Sequence, residues 1–204
     1  MTKRKARSKL KIGIDIDNVI ADTHHQYLNQ FNLTFGTDVL YEDCSFFYFE
    51  DLSTEIKAAQ ITLFIEKLLV NDEFQSRIPP YSEAVKTVKK WIKKGFFLHY
   101  ISARPKEAVK ITKTWLIKHG FWVEGRATLD LVDFRHGKDT EFKKDIASKL
   151  GIDLMIEDSR EIANAFSAPV LLLSRPWNRG ELKGHVTRVK DWREIELIVA
   201  KYEK

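Results

Sequence analysis

Apolar positions along this chain follow two rhythms, and the change between them divides it. Residues 10–16, LKIGIDI, form an apolar, β-rich run ending in carboxylates, the pattern of a buried strand. From about residue 80 onward such runs recur: FFLHYIS at 96–102, ATLDLV at 127–132, IDLMIED at 152–158 and PVLLLS at 169–174. Helical patterns lie between them. Ser82 is placed to cap a helix with Val85, Val88 and Ile92 on one face and Gly95 behind it. Pro105 suits the first turn of a second helix, which Gly120 closes. Thr140 opens a third, carrying Phe142, Ile146 and Leu150 ahead of Gly151, and Asp191 with Glu194 makes a capping box for a last one. Strands alternating with helices predict an α/β fold, a doubly wound parallel sheet with helices on both faces.

Residues 22–79 break that alternation. Asp22 or Thr23 suits the N-cap of a helix over 22–31, and 53–70 places Ile56, Ala59, Phe64, Ile65, Leu68 and Leu69 near helical spacing before Pro79-Pro80 interrupts. There is no internal repeat and no low-complexity tract. The expected organisation is a basic tail at 1–9, a core built from 10–21 and 80–204, and a small helical cap at 22–79 inserted after the first strand.

Composition narrows the function classes. The chain has 204 residues, enough for one domain with a modest insertion, and 44% hydrophobic with 31% charged residues excludes a disordered chain. No apolar run approaches the length that crosses a bilayer, and no apolar signal region follows the basic N-terminus, so no membrane association and a cytoplasmic location are expected. The single cysteine, Cys44, cannot form an internal disulfide; it fits a reducing compartment and reads as structural. Net charge is +5, with much of the excess in the opening TKRKARSKLK. That segment reads as a solvated tail; no zinc finger, RRM signature or basic heptad supports a nucleic-acid partner.

The candidate chemistry sits at strand ends. Asp15 and Asp17 end the first run and Glu157 and Asp158 end the fourth, so two strands deliver carboxylates to the edge of an α/β sheet where ligands bind. Several carboxylates brought together repel one another unless a cation lies among them, and hard oxygen donors without a Cys or His pattern favour magnesium over zinc. Ser102 ends the second run, followed by Ala103 and Arg104; a hydroxyl and backbone N–H groups at a helix N-terminus suit a phosphate. Lys143 or Lys144, early in the next helix, is placed to neutralise a further phosphate oxygen. A carboxylate nucleophile, a metal site and phosphate clamps together point to phosphoryl transfer.

These residues resemble the four motifs of the haloacid dehalogenase (HAD) superfamily, in order across 10–174. DIDNV at 15–19 is similar to the first motif, Ser102 to the second and IEDS at 156–159 to the fourth. Lys138, Lys143 and Lys144 compete for the third; Lys143, eight residues before Gly151, has the spacing most like the family. The resemblance implies a Rossmann-like core and a Mg2+-dependent phosphatase. Asp15 would be the nucleophile and a metal ligand. Asp17 would be general acid then base, with its carbonyl on the metal. Ser102 and Lys143 would orient the phosphate, Asp158 would bind the metal directly and Glu157 through water. The usual glycine of the first motif is replaced by Asn18, whose backbone N–H is the part expected to matter for the phosphate. DNVIAD at 17–22, SARP at 102–105 and RPWNR at 175–179 look like the cytosolic 5′(3′)-deoxyribonucleotidase group, implying a nucleoside monophosphate as the small-molecule partner.

Other features have two readings. Arg104 either clamps phosphate or base, or caps the sheet edge. Phe46, Phe47, Tyr48 and Phe49 either stack on a nucleobase or form the core of the cap. His24 and His25 are adjacent and would face different directions on a helix, which suits a solvated or cleft-lining role better than metal binding. Asp22 is expected as an N-cap, and Trp177 and Asn178 as shaping a loop beside the fifth strand. Competing functions are a phosphatase for another small metabolite such as a sugar phosphate, a nucleic-acid end phosphatase, and a phosphate-binding regulatory module.

Overall fold

A computed structural model describes residues 10–45, 48–52, 55–132 and 138–202. The basic tail at 1–9 and the aromatics Phe46 and Phe47 lie outside the described residues. Six strands form one parallel sheet: β1 (Lys11–Ile14), β2 (Phe97–Pro105), β3 (Ala127–Val132), β4 (Leu154–Glu157), β5 (Val170–Leu173) and β6 (Val186–Val189). Their spatial order is β3-β2-β1-β4-β5-β6, and every neighbouring pair is parallel. The chain runs outward from β1 to β3, then crosses to β4 on the other side of β1. The carboxyl ends of β1 and β4 therefore meet where the winding reverses, which is where open α/β sheets bind ligands.

The sheet is covered on both faces, so its strands read as near-continuous apolar runs. Ile12, Ile14, Leu98, Tyr100, Leu154 and Ile156 pack into one buried cluster, and Ile101, Met155, Val170, Leu172 and Val186 into the other. Gly13 has a packing reason. A Cβ there would come within 2.6 Å of Met155 Sδ and 3.1 Å of Ile152, so glycine lets β4 and its carboxylates lie close beside β1.

Helices α1 (Thr23–Phe35), α2 (Ala58–Leu69) and α3 (Asp72–Arg77) fall between β1 and α4 (Ser82–Lys94). The two passages of chain into and out of this helical stretch lie together: Asp22 N–H donates to Pro79 O at 2.9 Å and Tyr81 N–H to Ile20 O at 2.9 Å. Tyr27, Leu28 and Phe31 of α1, with Cys44, Phe49 and Ile61, belong to the same buried cluster as Ile14 of β1. The remaining helices are α5 (Val109–His119), α6 (Asp139–Leu150), α7 (Arg160–Ala165) and α8 (Trp192–Tyr202). Among the described residues, no helix is long and apolar enough to cross a membrane.

Several local expectations change. The second strand continues to Pro105 rather than stopping at Ser102, and Pro105 ends it instead of starting a helix. A short 3-10 turn at Lys106–Ala108 intervenes before α5. Ser82 is the first helical residue and Tyr81 the N-cap, with no side-chain cap. The helical stretch expected from residue 53 begins only at Ala58, and Ala59 is exposed. The edge strand β6 was not anticipated: VTRV is four residues long with two polar positions, too short and mixed to stand out as an apolar run. The capping box forms in part, with its return bond shifted by one residue to Lys190. Asp191 Oδ1 accepts the N–H groups of Arg193 and Glu194, and Glu194 reaches back to the Lys190 N–H at 2.7 Å.

Candidate functional site

The sheet brings Asp15, Glu157 and Asp158 together as its register requires. Ile14 of β1 pairs with Ile156 of β4, so the next residues on each strand leave the sheet side by side. All three carboxylates are buried, and one oxygen of each lies within 4.8 Å of the others. From the first half of α6, Lys143 reaches into this group. Its Nζ donates to Asp15 Oδ1 at 2.7 Å and to Glu157 Oε2 at 3.0 Å, with only 2% of the residue exposed. This separates the three candidate lysines: Lys138 and Lys144 are exposed. Glu157 is fully committed, since its Oε1 accepts the backbone N–H groups of Asp158 and Ser159, both at 3.1 Å. Asp15 is not. Among the described residues its Oδ2 accepts no hydrogen bond.

The electrostatics follow from this packing. Burial pushes the Asp15 carboxyl up to about 8; Lys143 opposes the rise, while Glu157 and Asp17 add to it. Burial, then Glu157 and Asp15, push Asp158 well above the usual carboxylate range. Burial works against the charge on Lys143, but Asp15 and Glu157 hold it protonated above the ordinary lysine range. One ammonium does not balance three buried carboxylates. The donor set, three hard oxygens with no His or Cys, fits a magnesium-type cation.

Asp17 stands apart from the cluster, half-buried, and has a different partner. Arg104 grips it with two hydrogen bonds, Nε to Oδ2 at 2.9 Å and Nη2 to Oδ1 at 2.7 Å, and Thr23 Oγ1 also donates to Oδ1. Burial disfavours its charge, yet the guanidinium and these hydrogen bonds hold it below the usual range. The structure adds a further role for Arg104 beside its two readings. Its Nη1 donates to Thr112 at 3.3 Å, so each of its three nitrogens makes a hydrogen bond within the protein.

Ser102 is fully buried, and its Oγ accepts the Arg104 N–H at 3.2 Å. Because β2 continues past it, no helix N-terminus stands directly behind it, so that part of the expected clamp is absent. Asn18 holds a left-handed backbone, φ 60°, which asparagine tolerates better than most side chains. Its N–H donates to Ala21 O at 2.8 Å and is therefore not open to a phosphate. Asp22 occupies the N-cap position without capping; its Oδ1 accepts from Tyr81 OH and meets His25 Nδ1 at 2.6 Å. The acceptor for the α1 N-terminus is Asn18 Oδ1, which takes the His24 N–H at 2.8 Å.

A cleft opens above these groups. Its floor is Asp15, Asp17, Asn18, Ala103, Arg104, Lys143 and Asp158, and its far wall includes Tyr48, Phe49, Ile65 and Leu69 from the helical stretch. Ser102 and Glu157 are not among its lining residues. His24 lines it as well, buried and stacked on Trp177 with centroids 4.3 Å apart, and burial holds its imidazole neutral, down to about 3. Phe49 packs on His24, Tyr27 and Phe31 as core, while Tyr48 is partly exposed. Sequence reasoning missed the contact of Thr23 with Asp17; it expected Trp177 and Asn178 in the loop after β5, where they lie, but not that Trp177 Nε1 donates to Asp158 Oδ2 and Arg175 Nε to Asn18 O. RPWNR was visible as a pattern, but nothing local says that it reaches back to β1 and β4.

Comparisons with known proteins give the family and the fold. The family model described as "5' nucleotidase, deoxy (Pyrimidine), cytosolic type C protein" matches residues 8–203. A Bacillus cereus protein named "Putative nucleotidase" is 24% identical over 198 residues, covering 94% of this chain and 99% of the relative. One of the same description from Halalkalibacterium halodurans is 26% identical, covering 100% and 98%. Among solved structures, a haloacid dehalogenase-like family hydrolase from Streptococcus pneumoniae superposes with a TM-score of 0.65 at 13% identity, covering 96% of this chain and 99% of that one. At that identity the likeness speaks for the fold.

Proposed function

The chain belongs to the cytosolic type C 5′ nucleotidase family within the HAD hydrolases and is a phosphatase, and from that premise we propose that it hydrolyses nucleoside monophosphates through a covalent phosphate on Asp15. The observation that carries this reading is the buried meeting of Asp15, Lys143 and Asp158 at the floor of the cleft, where the winding of the sheet reverses.

Asp15 Oδ2 attacks phosphorus while the bond to the ester oxygen breaks, leaving an aspartyl phosphate. Lys143 keeps the Asp15 carboxylate oriented and balances charge on the phosphate. Asp17 gives a proton to the departing oxygen, then takes one from the water that cleaves the acyl phosphate. Its pairing with Arg104 favours the carboxylate, the form the water step uses; protonation for the first step comes at the expense of that pair. Asp15, Asp158 and the Asp17 carbonyl would hold magnesium, with Glu157 behind them anchoring Lys143. Bound metal would supply the positive charge that a dianionic phosphate needs beside these carboxylates. Ser102 Oγ fastens the backbone N–H of Arg104 beside the cleft floor. Residues 22–79 act as a cap over it, with Tyr48 and its apolar neighbours facing the leaving group. The "cytosolic" description of the family supports a cytoplasmic setting.

The test is a phosphatase screen over nucleoside monophosphates, sugar phosphates and an aryl phosphate, with magnesium present, removed by EDTA and restored. Nucleoside monophosphates should lead, with turnover lost on chelation and regained on adding magnesium. Sugar phosphates leading would move the substrate assignment, and full turnover in EDTA would sink the metal assignment.

A further inference from the structure

Asn18 has no step in the chemistry above, yet it is one of the most heavily bonded residues of the site. Its carbonyl accepts from Arg175 Nε at 3.0 Å. Its Oδ1 accepts the N–H of His24, the second residue of α1, at 2.8 Å. Its Nδ2 donates to Asp158 Oδ2 at 3.3 Å. The same Asp158 oxygen accepts from Trp177 Nε1 at 3.2 Å, and the Trp177 ring lies on the His24 ring, 4.3 Å between centroids and 19° between planes. Asp158, Asn18, His24 and Trp177 therefore form a closed circuit of contacts. It joins the end of β4 to the first turn of α1 through the loops after β1 and β5.

We propose that Asn18 is a positioning residue that ties the orientation of the Asp158 carboxylate to the seating of the first turn of α1, so that a cation held by Asp158 and the cleft wall built on α1 influence each other. This rests on Asp158 being a cation ligand. The linked arrangement holds Asp158 oriented, and a cation that takes an oriented carboxylate favours the linked arrangement. By reciprocity, the factor by which the link strengthens cation binding is the factor by which the cation strengthens the link. A side chain is required for this. Glycine at position 18 would keep the left-handed backbone and remove both side-chain arms.

The experiment uses the full chain and magnesium alone, without substrate. Calorimetry measures magnesium affinity of the wild type and Asn18→Gly, and hydrogen exchange follows the amides of residues 23–28 with and without magnesium. The expected results are slower exchange at His24 by about 5-fold on adding magnesium to the wild type, a similar loss of magnesium affinity in Asn18→Gly, and no magnesium-dependent slowing in that variant. Should Asn18→Gly not fold, Trp177→Phe keeps the stacked ring and removes only a donor to Asp158; it should show a weakened exchange response. Magnesium binding by the wild type with unchanged exchange in α1 overturns the coupling and leaves the cation reading standing. So does a full response in the variant. No magnesium binding by the wild type overturns both.

Discussion

The floor and the far wall of the cleft are built in different ways. On the floor, Asp15, Lys143 and Asp158 are buried, with Glu157 buried behind them; they are carried at strand ends or on the helix packed behind them, and each bonds to another member of this group. The wall is made from short turns and one face of α2: Tyr48 precedes and Phe49 begins a 3-10 turn, and Ile65 and Leu69 are only partly buried. In the proposed reaction the floor would meet the part common to all phosphomonoesters, and the wall the part that differs. Rigidity is thus placed where geometry is demanding, and adaptable apolar surface where the leaving group must be told apart. Substitutions on the floor should abolish or distort the chemistry for every substrate, whereas substitutions at the exposed part of the wall should change only the ranking of substrates.

The largest expected effect tests the floor at its proposed nucleophile. Asp15→Asn should lower kcat on an aryl phosphate by roughly 10^4-fold or more, because an amide cannot form the acyl phosphate. Circular dichroism should remain native, since the amide oxygen can still accept from Lys143. Near wild-type turnover would remove Asp15 from the nucleophile role.

Asp17→Asn comes next, and it separates floor from wall by leaving group. General acid–base help is worth roughly 10^2- to 10^4-fold, and a good leaving group needs less of it. Alkyl phosphates should lose that much while activated aryl phosphates lose far less. Equal losses would make Asp17 a scaffold residue, held by Arg104 and Thr23 for shape alone.

The floor could be located in the sequence because its residues are fixed by periodicity and strand ends. The apolar runs at 10–16, 96–102, 127–132 and 152–158 each lie on an observed strand, and Asp15 and Asp158 stand where two of them end. The pairings that tune these groups were not legible. Arg104 and Asp17 are 87 residues apart, and only the close packing of β2 beside β1 brings the guanidinium to the carboxylate. Three lysines shared one sequence argument, and burial against the sheet separates Lys143 from its exposed neighbours. β6 and the start of α2 were missed for the opposite reason, being short or amphipathic segments whose identity comes from what they pack on.

A third effect tests whether the floor is a stability element as well as a catalytic one. Lys143→Met keeps the aliphatic stem and removes the ammonium, leaving Asp15 and Glu157 buried without their shared partner. Breaking a buried ion pair from one side typically costs about 3–5 kcal/mol, so the variant should unfold at clearly lower denaturant concentration as well as lose activity. Unchanged stability with lost activity would mean that the carboxylates relax or take up protons at little cost, and the floor would be less rigid than its geometry suggests.

The smallest effect concerns the wall. Tyr48 is the one described member of the 46–49 aromatic run that is both partly exposed and in the cleft; Phe49 is spoken for by His24, Tyr27 and Phe31. Among the described residues of the run, the expectation that these rings serve a base narrows to one testable position. A flat ring at the wall can stack on a nucleobase, an interaction worth about 1–3 kcal/mol per base by alanine substitution. Tyr48→Ala should accordingly lower kcat/KM on nucleoside monophosphates by roughly 5- to 100-fold while leaving a small aryl phosphate, which does not extend to the wall, nearly unaffected. Tyr48→Phe, which keeps the ring, should restore most of the loss if stacking is the cause, and little of it if the hydroxyl matters instead. Phe49→Ala should behave differently, lowering the melting temperature and all activities together, because it opens a hole beside His24. If Tyr48→Ala instead reduces every substrate equally, with a lower melting temperature, the wall has no role in choosing substrates and the contrast between the two halves of the cleft fails at that point.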